Sequence, residues 1–221
     1  MAAIAITGDI GAGKSTVSKL LAEKLGCERL DADVVAKNLW LRDDVKAQAV
    51  NRWGEKILDA SGKILIPEIA RIIFTDETEH EYCNKMLHPL VMSELKRRAA
   101  NIINREFPST SEQARKLEKV IVSDNLSHVT SKPENVVIEI PLLFEAGSSF
   151  DWINFVVYVT ANFDVRAERC RVSRGWSFDE LRRREKFLLP QNEKISMSDY
   201  IINNDGGISE LERQIDDIRL Y

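Results

Sequence analysis

Cysteine is scarce in these 221 residues: Cys27, Cys83 and Cys170 are all there is. Their number is odd, their spacing is wide, and no CxxC is present, which argues against a disulfide framework and a zinc site. Reduced, mostly buried thiols are expected. No apolar run approaches the ~18 residues that a membrane-spanning helix needs. The N-terminus lacks a basic stretch, and its apolar run meets Asp9 almost at once, so no secretory leader is expected. A basic excess is also missing: 31 Lys+Arg stand against 35 Asp+Glu, a formal charge of −4. That balance argues against a general nucleic-acid binder, though not against a local basic site for a small phosphorylated molecule. What remains is ordinary globular composition, 44% hydrophobic and 30% charged. The length suffices for one to two domains with a core of their own. Cytoplasmic location and a monomer are the default expectations.

The apolar run Ala2–Thr7 reads as a buried parallel strand. Helical spacing follows over Ser15–Leu25 (Val17, Leu20, Leu21, Leu25), and Gly26 is placed to stop it. Cys27–Leu30 reads as a second strand ending in Asp31-Ala32-Asp33. The first ~33 residues thus form a βαβ unit with a right-handed crossover. Residues 34–104 look helical, with breaks at Gly54 and the Asp59–Gly62 turn. The polar tract 105–135 carries one apolar run, Val120–Val122, and reads as a solvated excursion. Val136–Ile140, Phe155–Thr160 and Tyr200–Asn203 read as further strands. An Arg-rich helical stretch spans about 163–189, and a last helix starts near Ile208. The alternation of strands and helices predicts an α/β fold, a mostly parallel sheet flanked by helices on both faces.

Gly8-Asp9-Ile10-Gly11-Ala12-Gly13-Lys14-Ser15 matches G-x-x-x-x-G-K-[ST]. Average residue usage produces this pattern by chance in roughly one chain of this length in a hundred. A strand before it and a helix after it supply the context that phosphate binding requires. The glycines let the backbone approach phosphates, and amides at the helix N-terminus cradle the anion. Gly8 through Thr16 are therefore candidate nucleotide-binding residues. Lys14 is placed to reach the β/γ-phosphates of ATP, and the Ser15 hydroxyl to ligate Mg²⁺. GTPases share this loop but normally add N-K-x-D, which is missing here. The DxxG match at Asp59–Gly62 reads as a surface turn.

Asp31 and Asp33 end the second strand, at the sheet edge where the phosphate loop also opens. A carboxylate there either accepts a proton from an attacking hydroxyl or holds Mg²⁺ through water, and capping of the next helix is the alternative. Four arginines crowd Arg166, Arg169, Arg171 and Arg174 into nine residues. Arg166 and Arg169 share a helical face, Arg174 falls past the expected helix end, and Gly175 suits a hinge.

In order along the chain, T-G-D-I-G-A-G-K-S-T (7–16), D-A-D-V-V-A (31–36), H-P-L-V (88–91), P-L-L-F-E (141–145), Arg169 with Arg174, and D-Y-I-I-N-N-D-G (199–206) resemble the dephospho-CoA kinases. The resemblance covers almost all of the chain outside 105–135. It implies transfer of the ATP γ-phosphoryl to the ribose 3′-hydroxyl of dephospho-CoA, with Mg²⁺. It implies a P-loop kinase fold in three parts: a nucleotide-binding core (1–33, 136–162 and 196–221), a helical acceptor-binding region (34–135) and a lid (163–195). Asp33 corresponds to the general base, with Lys14, Arg169 and Arg174 as further catalytic residues. Asp31, His88, Pro89, Leu142 and Glu145 fall in the substrate region, and Asn204 near the adenine. Taken alone, His88 reads as a capping or core histidine and Pro89 as a helix breaker.

Three positions depart from the family pattern. Ile66 replaces an arginine, and Arg166 and Leu188 replace lid glutamines. Two other readings stay open: a small P-loop kinase for a nucleoside, shikimate or sugar acid, and a slow nucleotide-hydrolysing regulator. The ordered motifs speak against the first, and Asp33 with the arginine-rich stretch against the second.

Overall fold

The computed structural model describes residues 2–104, 135–145 and 149–219. The run Val120–Val122 and most of the polar tract lie outside the described residues. Five parallel strands form one sheet in the order β2-β3-β1-β4-β5. They are β1 (Ala3–Gly8), β2 (Glu28–Asp31), β3 (Val136–Glu139), β4 (Phe155–Thr160) and β5 (Tyr200–Asn203). All five strands expected from the sequence are present, with ends shifted by a residue or so. The all-apolar β1 runs down the middle because both its faces are covered.

Alternation along the strands divides the core. Ala3, Ala5, Val136 and Ile138 face one helical layer, while Ile4, Ile6, Val137 and Val157 face the other. The first layer holds α2 (Ala32–Leu39), α3 (Asp43–Trp53), α4 (Ile66–Ile73) and the long α5 (Glu77–Ile103). Cys83, Leu87, Val91, Leu95, Ala99 and Ile102 of α5 recur every three or four residues and bury as one stripe. The second layer holds α1 (Lys14–Leu25) and α9 (Ile208–Asp216), packed through Val17, Leu21, Leu211 and Ile215.

Between β4 and β5 lie α6 (Phe163–Arg174), α7 (Phe178–Glu185) and α8 (Gln191–Ser196). The Arg-rich helical stretch expected over about 163–189 holds two helices, α6 and α7, separated at Gly175, which caps α6 at φ 68°. The left-handed cap terminates the helix, and Ser177 restarts it by accepting from the Glu180 amide at 3.1 Å. Arg174 is the last residue of α6 rather than beyond it. Pro89 is not a helix breaker: α5 continues through it. The extensive burial of α5 against the sheet holds the helix together despite the missing amide.

Candidate active site

The loop Asp9–Gly13 joins β1 to α1 at the C-terminal edge of the sheet. Gly8, Gly11 and Gly13 all have positive φ, at 142°, 77° and 90°. A Cβ on Gly8 would stand 2.0 Å from the Val159 carbonyl oxygen of the neighbouring strand, so only glycine lets β1 enter the loop here. Gly11 lies against α6, where a Cβ would meet the Arg166 carbonyl oxygen at 2.7 Å and Cys170 Sγ at 2.8 Å.

Asp9 turns inward. Its amide donates to the Val159 carbonyl at 3.0 Å. Its carboxylate accepts from Tyr158 Oη (2.5 Å), Thr160 Oγ1 (2.7 Å) and Gln191 Nε2 (2.9 Å). The Asp9 side chain therefore anchors the loop to β4 and to Gln191. Asn204 braces the loop from the other side, its Nδ2 donating to the Ala12 carbonyl at 2.7 Å. Arg169 ties the two together through the Asn204 carbonyl (2.9 Å) and the Ala12 carbonyl (3.5 Å).

Lys14 Nζ lies over the loop, donating to the carbonyls of Gly8 (3.1 Å) and Asp9 (2.9 Å). Burial lowers its pKa to about 8; Arg174 acts in the same direction, and Glu139, Asp9 and Asp33 oppose. Glu139, at the end of β3, is the site residue that the sequence reading missed. It is only 6% exposed. Its Oε1 accepts from Ser15 Oγ at 2.7 Å, and its Oε2 from Ser18 Oγ at 3.1 Å and Arg29 Nη1 at 3.5 Å. The available signal was positional: β3 pairs with β1, so its last residue must stand beside the phosphate loop.

Asp31 caps α2 with its carboxylate, accepting from the amides of Asp33 (2.8 Å) and Val34 (3.3 Å). The capping alternative thus describes the Asp31 carboxylate. Asp33, on the first turn of α2, is exposed. Enclosure by the surrounding protein and then the charge of Asp31 push its carboxyl above the usual aspartate range, while Lys14, Lys37 and Arg174 pull it back. Arg174 thus acts electrostatically on both Lys14 and Asp33. Its guanidinium lies 4.7 Å from the Trp176 ring centroid, and it has no ion pair among the described residues.

Two cavities meet at His88, and one of them reaches Asp33. A 70 Å³ cleft is lined by Asp33, His88, Met92, Pro141 and Leu142. An 880 Å³ cavity lies between α5 and the segment after α7, with His80, His88, Pro89, Glu145, Phe187 and Leu188 among its walls. His88 lines both, and burial followed by the proximity of His80 lowers its pKa to about 4. Glu145 is a buried rim residue. Its Oε1 accepts from the Leu189 amide at 3.2 Å and lies 3.7 Å from Lys194 Nζ. Its Oε2 has no hydrogen-bond partner among the described residues. Four of the five sequence-derived substrate residues thus line one or both cavities, and Asp31 instead lies in register with Glu139. Neither Arg166 nor Leu188 could be assigned from the family pattern. Leu188 is a cavity wall, and the buried Arg166 bonds to protein atoms only: the carbonyls of Ala161 (2.9 Å) and Ile10 (3.1 Å), and Glu185.

A glycine loop that ends on Lys14 and Ser15, and a carboxylate that acts on its lysine, stand together at the sheet edge. The similarity to known proteins extends over nearly the whole chain. A structure from Thermus thermophilus designated TT1252 superposes with a TM-score of 0.64 at 26% identity, covering 97% of this chain and 94% of that one. A shikimate kinase from Bacteroides thetaiotaomicron, at 17% identity and a TM-score of 0.52, shares the fold. The dephospho-CoA kinase of Chlorobaculum tepidum is 31% identical over 97% of this chain and 92% of its own length. That of Geobacillus kaustophilus is 30% identical over 96% and 92%. The family model for dephospho-CoA kinase matches residues 2–108 and 117–210, so the loop, Asp33, His88 and the Pro141–Glu145 turn all fall inside it, and this chain belongs to the dephospho-CoA kinase family.

Proposed function

We propose that this protein transfers the γ-phosphoryl of ATP to the ribose 3′-hydroxyl of dephospho-CoA, giving coenzyme A. The observation that supports the reading is that Asp33 lines the small cleft and acts electrostatically on Lys14 of the phosphate loop. In this reading the acceptor hydroxyl enters the small cleft, and Asp33 takes its proton as the bond to phosphorus forms. The raised pKa strengthens Asp33 as a base. Lys14 stabilises charge on the transferring group. Arg174 and Arg169 add positive charge from α6, and closure of the segment 163–195 as a lid excludes water from the reaction. His88, Pro89, Leu142 and Glu145 line the acceptor's seat.

Ser15 Oγ and the Glu139 carboxylate, 2.7 Å apart, are the hard oxygen donors that suit Mg²⁺. No cluster of three or more His, Cys, Asp or Glu side chains stands ready for a metal among the described residues. That agrees with an ion held mainly by phosphate oxygens and water. Bound there, the ion neutralises charge on the transferring phosphates. Glu139→Gln should raise the Mg²⁺ concentration for half-maximal rate about 10- to 100-fold, and an unchanged requirement would remove Glu139 from the metal site. Among the described residues no helix is long and apolar enough to cross a membrane. Action in the cytoplasm as a monomer is the reading we carry from the sequence.

An acceptor panel tests the substrate. Dephospho-CoA should exceed shikimate, gluconate and free nucleosides in kcat/KM by orders of magnitude. Comparable turnover of any of these would return the protein to the general small-molecule kinases.

A further inference from the structure

Helix α7 ends on two consecutive side chains that reach opposite halves of the site. Arg184 points toward the acceptor side, its guanidinium carbon 4.0 Å from the ring centroids of both Phe74 and Trp176. Its Nε donates to Glu180 at 2.6 Å, which fixes the stack. Phe74 follows the end of α4 and meets Phe187 at 5.9 Å and His80 at 5.8 Å between ring centroids. His80 and Phe187, themselves 4.7 Å apart, are walls of the 880 Å³ cavity. Glu185 points the other way and accepts from Arg166 Nη1. That same nitrogen donates to the Ile10 carbonyl of the phosphate loop. Side-chain contacts therefore run from the cavity wall through Phe74 to Arg184, and from Glu185 through Arg166 to the loop, with the two sets joined by the backbone at the end of α7.

Arg166 spends Nε and Nη1 on protein partners, the carbonyls of Ala161 and Ile10 and the Glu185 carboxylate. A buried guanidinium that binds a loop carbonyl sets that loop's shape, and its partner carboxylate decides how firmly. Gly175, left-handed and with open space around it, allows α7 to move while α6 stays packed on Gly11.

We propose that Arg166, Arg184 and Glu185 are positioning residues that couple filling of the acceptor cavity to the set of the phosphate loop, so that the two substrates bind synergistically. The proposal rests on the reading that this cavity takes dephospho-CoA. Acceptor packed against His80 and Phe187 holds Phe74 and Arg184 in place. The adjacent Glu185 then stays on Arg166, and Arg166 on Ile10. By linkage, nucleotide in the loop tightens acceptor binding by the same factor.

Calorimetric titration of dephospho-CoA, with and without β,γ-methylene-ATP and Mg²⁺, tests this on the parent, Glu185→Gln and Phe74→Leu. The parent should bind dephospho-CoA about fivefold or more tightly when the nucleotide analogue is present. In both variants that ratio should fall toward one, while each ligand's affinity alone stays near the parent's. A purely structural role would lower the melting temperature and leave the ratio intact. A parent ratio of one, or a variant that keeps the parent's ratio, overturns the coupling. Dephospho-CoA that fails to bind the parent at all overturns the acceptor reading, and the coupling with it.

Discussion

Lys14 and Asp33 are held in opposite departures from their ordinary titration. Burial brings Lys14 down to about 8, so at pH 8 about half of the molecules carry an uncharged amine before nucleotide arrives. Phosphate oxygens restore the charge, and binding should then take up about half a proton per ATP at pH 8. Titration in two buffers of different ionisation enthalpy measures this uptake, and binding without it would contradict the burial of the amine. Asp33 is tested by its amide. Asp33→Asn keeps the shape and should cost about 10²–10⁴ in kcat with ATP affinity little changed, if the carboxylate removes the proton. Surviving turnover at saturating Mg²⁺ with collapsed ATP affinity would make it a metal-water ligand instead.

At the scale of elements, the informative feature is a proline in the wrong place for stability. Pro89 deprives α5 of one backbone hydrogen bond, yet it lines the large cavity. A proline in a helix interior costs about 3 kcal/mol relative to alanine, of which part is recovered from the unfolded chain. Pro89→Ala should raise stability by roughly 1 kcal/mol or more while raising the KM for dephospho-CoA. Thermal melts and steady-state kinetics check the two halves, and a variant that is both less stable and fully active would contradict the trade. Local patterns made most of this legible. The glycine loop and α1 need only neighbouring residues, and Asp33 needs only the parallel βαβ rule. Glu139 was not legible: its bond to Ser15 spans 124 positions, and in sequence it is one more residue of an apolar strand. The role of Arg166 was not legible either, because its partners Ile10 and Glu185 are far away in one case and on the next helix in the other. The helix end near Gly175 was legible to within a residue, since Arg174 was expected just past it and is instead its last residue.

For the molecule as a whole, acid should act through the histidines of α5. His88 has its pKa lowered to about 4, and His80 is lowered too, both chiefly by burial. The unfolded chain therefore binds more protons than the folded one below the ordinary histidine range. The stability is fully present above about pH 6.5 and is lost as pH falls toward 4, by on the order of 2 kcal/mol for His88. Urea denaturation should show His88→Gln losing less stability than the parent between pH 6.5 and 4.5, and parallel curves would contradict the assignment. The sheet places the phosphate loop, and α5 with the Pro141–Glu145 turn contributes walls to the two cavities.

The central claim is a phosphoryl transfer to one hydroxyl, and its most direct measurement is ADP formation with and without dephospho-CoA, with the product identified by phosphorus NMR. The account predicts that dephospho-CoA strongly stimulates ADP release, mole for mole with a new 3′-phosphomonoester, and that Asp33→Asn abolishes the stimulation. ADP release indifferent to dephospho-CoA, or a phosphate on another atom of the acceptor, would contradict it.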